Sequence, residues 1–212
     1  MTTSGSNSLS ADDVARLDMH VPPLRGLGRI GILGGSFNPP HLGHLMIAVA
    51  VYATEEIDHL WVMPCADHPF GKKLAPFDDR VRMCHLAFRH LAGGAAVLDL
   101  EKRLPREPNT ASFTVDTLRA LHAIRPGIKP VWIAGSDIIA ELPKWKEPEE
   151  VQRLARMVIV PRKGHAGGAR LGIDLPLLSS TDVRALIAAG KEVGGVLDRE
   201  VVSYIEKRDL YR

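Results

Sequence analysis

The stretch from Arg29 to Ala53, R-I-G-I-L-G-G-S-F-N-P-P-H-L-G-H-L-M-I-A-V-A-V-Y-A, constrains this chain more than any other. It opens with a short apolar run, Ile30 to Leu33, that reads as a buried strand. A loop of Gly34, Gly35, Ser36, Phe37, Asn38, Pro39 and Pro40 follows, and then an apolar stretch long enough for a helix beginning near Leu42. His41 and His44 stand where loop becomes helix. The start of a helix exposes unbonded backbone N–H groups and the positive end of the macrodipole, which suits a phosphate. Glycines let the loop backbone approach an anion closely, and the imidazoles add side-chain donors aimed the same way. The stretch reads as a nucleotide phosphate cradle.

The rest of the chain supplies the frame. His59 to Pro64 reads as a second strand, and a loop from Cys65 to Phe77 carries His68, Lys72 and Lys73. Asp78 is a plausible N-cap for a helix over Asp79 to Leu91. Ala95 to Leu100 is a third strand, Glu101 to Ala111 a loop, and Ser112 to Ile124 a helix with Val115, Leu118 and Leu121 at helical spacing. Pro130 to Ala134 is a fourth strand, ending in Gly135, Ser136 and Asp137. A short helix, then Pro143 and Trp145, lead to a helix from about Pro148 to Ala155 and a fifth strand, Met157 to Val160. Arg162 to Arg170 is a Gly-rich basic loop, and Leu171 to Leu178 a last, less regular strand. Helices over about Thr181 to Ala189 and Arg199 to Lys207 close the chain.

Strands alternating with helices predict an α/β fold, a doubly wound parallel sheet in one domain. Ligands of such sheets bind beyond the carboxyl ends of strands, where the strand order reverses. An order of 3-2-1-4-5 would set the loops Gly34 to His44 and Gly135 to Asp137 side by side. The domain spans 29–212, and residues 1–28 form a polar leader. In it Met1 to Ser10 is expected to be poorly ordered, and Ala11 to Met19 forms a short helix ended by Pro22 and Pro23. Gly26, Gly28 and Gly31 spell G-x-G-x-x-G, but the pattern enters a strand, whereas the dinucleotide fingerprint leaves one.

Composition excludes several classes. A formal net charge of +2 makes no broad electrostatic case for a nucleic-acid or membrane partner. Two cysteines, Cys65 and Cys84, imply no disulfide framework and fit a reducing compartment. The longest apolar run, about Leu45 to Ala53, is too short to span a bilayer, and no signal-peptide pattern precedes it, so a cytoplasmic location is expected. Cys65, His68, Cys84 and His85 lack the paired short spacings of a zinc site, so no metal ligands are assigned. There is no G-x-x-x-x-G-K-[ST] and no G-x-S-x-G. Nothing in the sequence marks an oligomeric state.

A second anion site is legible at Ser179-Ser180-Thr181-Asp182-Val183-Arg184. Hydroxyls and N–H groups start a late helix there, and Arg184, about one turn in, can fork onto phosphate oxygens. Read alone, this is also how Ser180 or Thr181 would cap a helix above a solvated arginine. Asp137, a carboxylate following a strand at a nucleotide site, can accept hydrogen bonds from ribose hydroxyls.

G-G-S-F-N-P-P-H-L-G-H resembles the first signature of the nucleotidyltransferase superfamily, whose H-x-G-H element is shared with class I aminoacyl-tRNA synthetases. S-S-T-D-V-R resembles its S-S-T-x-x-R element, and Val201, Tyr204, Ile205 and the final Leu210-Tyr211 resemble the last helix of its nicotinate/nicotinamide mononucleotide adenylyltransferase branch. The resemblance implies a Rossmann-like fold and adenylyl transfer from ATP to nicotinate mononucleotide, giving deamido-NAD and pyrophosphate, a step of NAD biosynthesis. It implies Mg²⁺ accompanying ATP. His41, His44 and Arg184 would contact the ATP phosphates. Gly34, Gly35, Ser36, Phe37, Gly135, Asp137, Ser179, Ser180 and Thr181 would complete the ATP site. Ser36, Lys72, Lys73, Thr114 and Trp145 would hold the mononucleotide, with Trp145 stacked on the pyridine base. Ser112-Phe113-Thr114 matches the family's S-Y-T with Phe for Tyr. Asn38 stands where Asp is commoner, and P-F-G-K-K where the bacterial family shows a compact P-P-H-K.

Competing readings are nicotinamide mononucleotide or another phosphorylated acceptor as substrate, or a nucleotide-binding regulator without turnover. A class I synthetase fails on length and on the absence of K-M-S-K-S.

Overall fold

The structure is a computed structural model and describes residues 9–24, 28–55, 57–68, 71–91, 93–107, 110–161 and 178–212, with the side chain of Asp137 outside the description. The basic loop expected over Arg162 to Arg170, the strand expected over Leu171 to Leu178 (apart from Leu178) and the first eight residues of the leader fall outside it.

Among the described residues, a five-stranded parallel sheet runs in the order β3-β2-β1-β4-β5. Its strands are β1 (Arg29–Gly35), β2 (His59–Pro64), β3 (Ala95–Val97), β4 (Lys129–Gly135) and β5 (Arg156–Val160). The helices are α1 (Ala11–Asp18), α2 (Leu42–Thr54), α3 (Phe77–Ala87), α4 (Leu100–Arg103), α5 (Thr114–Ile124), α6 (Pro148–Leu154), α7 (Ser180–Ala188) and α8 (Arg199–Arg208). The chain moves outward from β1 to β3, then returns to place β4 beside β1. That is the reversal of strand order expected from the sequence, and it brings the β1 and β4 loops together.

Both faces of the sheet are covered, so the strands read as apolar runs. Leu33, Val62, Ile133 and Val160 face a core shared with Ile47 of α2, Met83 of α3, Val183 of α7 and Val201 of α8. Ile32, Trp61, Met63 and Trp132 face a second core with Val115, Leu118 and Leu121 of α5 and Val151 of α6. The leader's helix joins that second core through Leu17, and Val21 follows it in.

Boundaries around α3 and β3 differ from expectation. Pro76, not Asp78, holds the N-cap position of α3. Asp78 lies inside the first turn, where the helix's positive end favours an acid, and accepts from Lys102 Nζ at 2.7 Å. α3 also ends early, and Arg89–Leu91 form a separate 3₁₀ turn. The third strand stops at Val97, because Asp99 pairs with Arg103 at i+4 and Leu100 opens a helical turn inside the expected loop.

Candidate active site

Two adjoining cavities open at the carboxyl ends of β1 and β4. The larger, about 1090 Å³, is lined by the β1 loop, His41, His44, Lys72, Lys73, Gly135, Ser179 to Thr181, Arg184 and the last residues, Asp209 to Arg212. The smaller, about 300 Å³, is lined by Cys65, Glu101, Ser112 to Thr114, Trp132 and Trp145. Gly34, Gly35, Ser36, His68, Ala134, Ile138 and Glu141 border both, so a group bound in one lies next to a group bound in the other.

The β1 loop is held in an unusual conformation. Phe37 has φ of +45°, in the left-handed region that a side chain adopts only under restraint. The restraint is packing: its buried ring meets His44 at 4.9 Å and Phe88 edge-on at 6.1 Å. His41 takes the N-cap position of α2, and its N–H donates to His44 Nδ1 at 3.2 Å. A neutral His44 ring accepting there carries its own proton on Nε2. The two rings stack with centroids 3.8 Å apart. The expectation that both histidines sit at the first turn of one helix is met.

α7 is stitched to the β1 loop. Ser180 Oγ donates to the Pro39 carbonyl at 2.9 Å, and Arg184 Nη1 donates to the Asn38 carbonyl at 2.8 Å. Arg184 Nη2 reaches Thr181 Oγ1 at 3.2 Å, which fixes the plane of the fork. The cap itself is Ser179, whose Oγ accepts from the Asp182 N–H at 3.1 Å, so Ser180 and Thr181 are released from capping. Asn38 is the hub. Its Oδ1 accepts from the Ala75 N–H and the Tyr211 hydroxyl, each at 3.0 Å, while its Nδ2 donates to the Lys73 carbonyl at 3.2 Å. An amide serves all three partners, whereas a carboxylate would face the Lys73 carbonyl with a second acceptor. Burial pushes the Tyr211 hydroxyl well above its ordinary range, so it stays a donor.

In the smaller cavity Trp145 meets Trp132 edge-to-face, with ring centroids 6.5 Å apart at 87°. Ser112 does not cap α5. It exchanges hydrogen bonds with the Asp67 backbone at 3.0 and 3.3 Å, leaving Phe113 at the N-cap position and Thr114 first in the helix. Lys146 sits 5.0 Å above the Phe113 ring. Glu101 is buried on the floor and accepts from the Ala66 N–H at 3.1 Å; burial raises its carboxyl above the usual carboxylate range. Burial likewise pushes the Cys65 thiol up to about 11, so it is protonated at neutral pH.

Every proposed site residue with a described side chain therefore borders one of the cavities, and Lys72 and Lys73 both border the larger. Asp137 follows β4 in a 3₁₀ turn, its side chain outside the description. The sequence singles out neither Glu101 nor Trp132, and it marks Asn38 and Tyr211 only through the family resemblance, without the hydrogen bond that joins them. Only an apolar run closing on Gly135 hinted at Trp132, and Glu101 carried no local signal.

The description "Cytidylyltransferase-like" matches residues 32–186. A protein of Anaeromyxobacter sp. strain K named "Probable nicotinate-nucleotide adenylyltransferase" is 44% identical over 89% of this chain and 100% of its own length. The chain belongs to the nicotinate-nucleotide adenylyltransferase branch of the cytidylyltransferase-like family. Another member of this branch, from Myxococcus xanthus, is 38% identical over 89% of this chain and 97% of its own. The fold matches that of Plasmodium falciparum nicotinic acid mononucleotide adenylyltransferase complexed with NaAD, at a TM-score of 0.73 and 22% identity over 86% of this chain and 97% of that one.

Proposed function

We propose that the two cavities carry adenylyl transfer from ATP to nicotinate mononucleotide, with the nucleotide triphosphate in the larger and the pyridine ring in the smaller. The phosphate of the mononucleotide attacks the α-phosphorus of ATP, and pyrophosphate leaves. The attacking oxygen is already anionic at neutral pH, so the reaction needs no general base and no covalent enzyme intermediate. The chain contributes placement of two anions in line and compensation of charge developing on the leaving group.

In this reading His41, His44 and Arg184 contact the ATP phosphates, with N–H groups of the Gly34 to Phe37 loop. Ser179, Ser180 and Thr181 line the same wall. Gly135 and Asp137 serve the adenosine end. Ser36 with Lys72 or Lys73 holds the mononucleotide phosphate, while Thr114 and Trp145 hold its base. Among the described residues no three His, Cys, Asp or Glu side chains converge as a metal cage. Mg²⁺ would enter with ATP, held mostly by substrate and water, and would supply charge neutralisation on the polyphosphate. Residues 29–212 form the catalytic domain, with α1 of the preceding segment docked against α5. No described helix is long and apolar enough to cross a membrane; action on small-molecule partners in the cytoplasm is part of the proposal.

The observation that carries this reading is the convergence of the β1 loop, both histidines and Arg184 on one cavity that adjoins a tryptophan-walled pocket. His44→Ala and Arg184→Ala should each keep the fold and lower turnover by about a hundredfold or more. Folded variants with near-normal pyrophosphate release would remove those roles.

A further inference from the structure

Arg80 is buried to 1% exposure, yet all four hydrogen bonds described for its guanidinium go to neutral backbone carbonyls. Nη1 donates to Ser36 O at 2.9 Å and Cys65 O at 2.8 Å, Nη2 to Ala66 O at 3.0 Å, and Nε to Ala75 O at 3.0 Å. These carbonyls belong to the loop after β1, the loop after β2 and the segment entering α3. Ser36 borders both cavities, Cys65 the smaller and Ala75 the larger. The neighbouring Asp79 is engaged elsewhere, accepting from Tyr204 Oη at 2.7 Å and Arg208 Nε at 3.0 Å.

In a trans peptide, a carbonyl turned one way turns the next N–H the other way. Two of the four peptides show this directly. The Cys65 carbonyl faces Arg80 and the Ala66 N–H faces Glu101 Oε2 at 3.1 Å. The Ala66 carbonyl faces Arg80 and the Asp67 N–H faces Ser112 Oγ at 3.3 Å. By the same geometry the Ser36 carbonyl, held by Arg80, turns the Phe37 N–H to the opposite side of the loop. The left-handed backbone at Phe37 is part of that arrangement.

We infer that Arg80 is a positioning residue of the reaction, one guanidinium that clamps the loops of both cavities and aims the Phe37 N–H at the anion bound there. Its charge, enclosed among carbonyls, also adds positive potential behind loops that receive two polyanions. The inference rests on the adenylyl-transfer reading for its consequence, though not for its geometry. Lysine keeps the charge but concentrates three donors at one point, so it cannot span carbonyls on three segments.

The test is Arg80→Lys, followed by amide hydrogen exchange and pyrophosphate release. The expected result is faster exchange at residues 36–38, 65–67 and 73–75 together, unchanged exchange in β1 and β4, and kcat lower by about tenfold to a hundredfold. A lowered unfolding temperature with kcat within threefold of the parent would mean a merely structural arginine and would overturn the inference. A second measurement needs no variant. Titration of the parent with pyrophosphate, followed by the amide resonances, should shift Phe37 among the most strongly perturbed signals. A saturable shift of the other loop amides that leaves Phe37 unmoved would also overturn it. Failure of the parent to turn over would refute the adenylyl-transfer reading alone, since the exchange pattern still decides whether Arg80 orients the loops.

Discussion

Gly34 lies in the motif proposed to bind phosphate, but its smallness answers to a tryptophan. A Cβ built at Gly34 would stand 2.3 Å from Trp132 Cζ2 and 2.8 Å from Cη2. Ordinary carbon contacts lie near 3.5–4.0 Å, so the ring must retreat by about 1 Å or more. Trp132 is 4% exposed and wedged against Trp145, so it has little room. Overpacking of this kind costs about 1–3 kcal/mol, which leaves a domain of ordinary stability folded. The displaced ring presses toward Trp145 and narrows the smaller cavity. Gly34→Ala should therefore lose about 1–3 kcal/mol in urea unfolding followed by tryptophan fluorescence. It should also raise KM for the mononucleotide more than KM for ATP. Gly35→Ala is the control, because its Cβ would meet the Phe37 ring at 3.4 Å, close to normal contact, and stability should change little. An alanine at 34 with parental stability and parental KM values would refute the packing argument.

Other outcomes follow from the same contacts. Asn38→Asp should destabilise by about 1–3 kcal/mol at neutral pH, since a buried carboxylate would oppose the Lys73 carbonyl. Acidification that protonates the new carboxyl should restore part of the loss, and a denaturation series across pH checks both signs. Glu101 binds its proton more tightly folded than unfolded, so its contribution to stability is full in acid and lost as pH rises through its raised value. Glu101→Gln should flatten that part of the profile of unfolding temperature against pH, and superimposable profiles would contradict the assignment.

The extent to which the chain declared itself depends on how local each feature is. Phosphate binding needs a strand, a turn, a helix start and donors in one contiguous run, and all of these lie between Arg29 and His44. The strand order was legible for a similar reason, since apolar runs alternating with helical spacing restrict the crossovers. The clamp around Arg80 was not legible, because its four carbonyls come from residues 36, 65, 66 and 75 and carry no residue-type signature. Glu101 was lost for another reason: the apolar run A-A-V-L-D-L reads as a longer strand, and only the Asp99–Arg103 pair shows that it ends at Val97. Gly34 was legible as a necessary glycine, but with anion approach as its cause. Its contact with Trp132 spans most of the domain in sequence and could not be read from either residue alone.

The most direct test of the central claim is pyrophosphate release by the purified chain with ATP and Mg²⁺, offered nicotinate mononucleotide and nicotinamide mononucleotide in parallel. The account predicts rapid release with the acid and a clear preference for it over the amide. ATP binding with no release from either mononucleotide would contradict it.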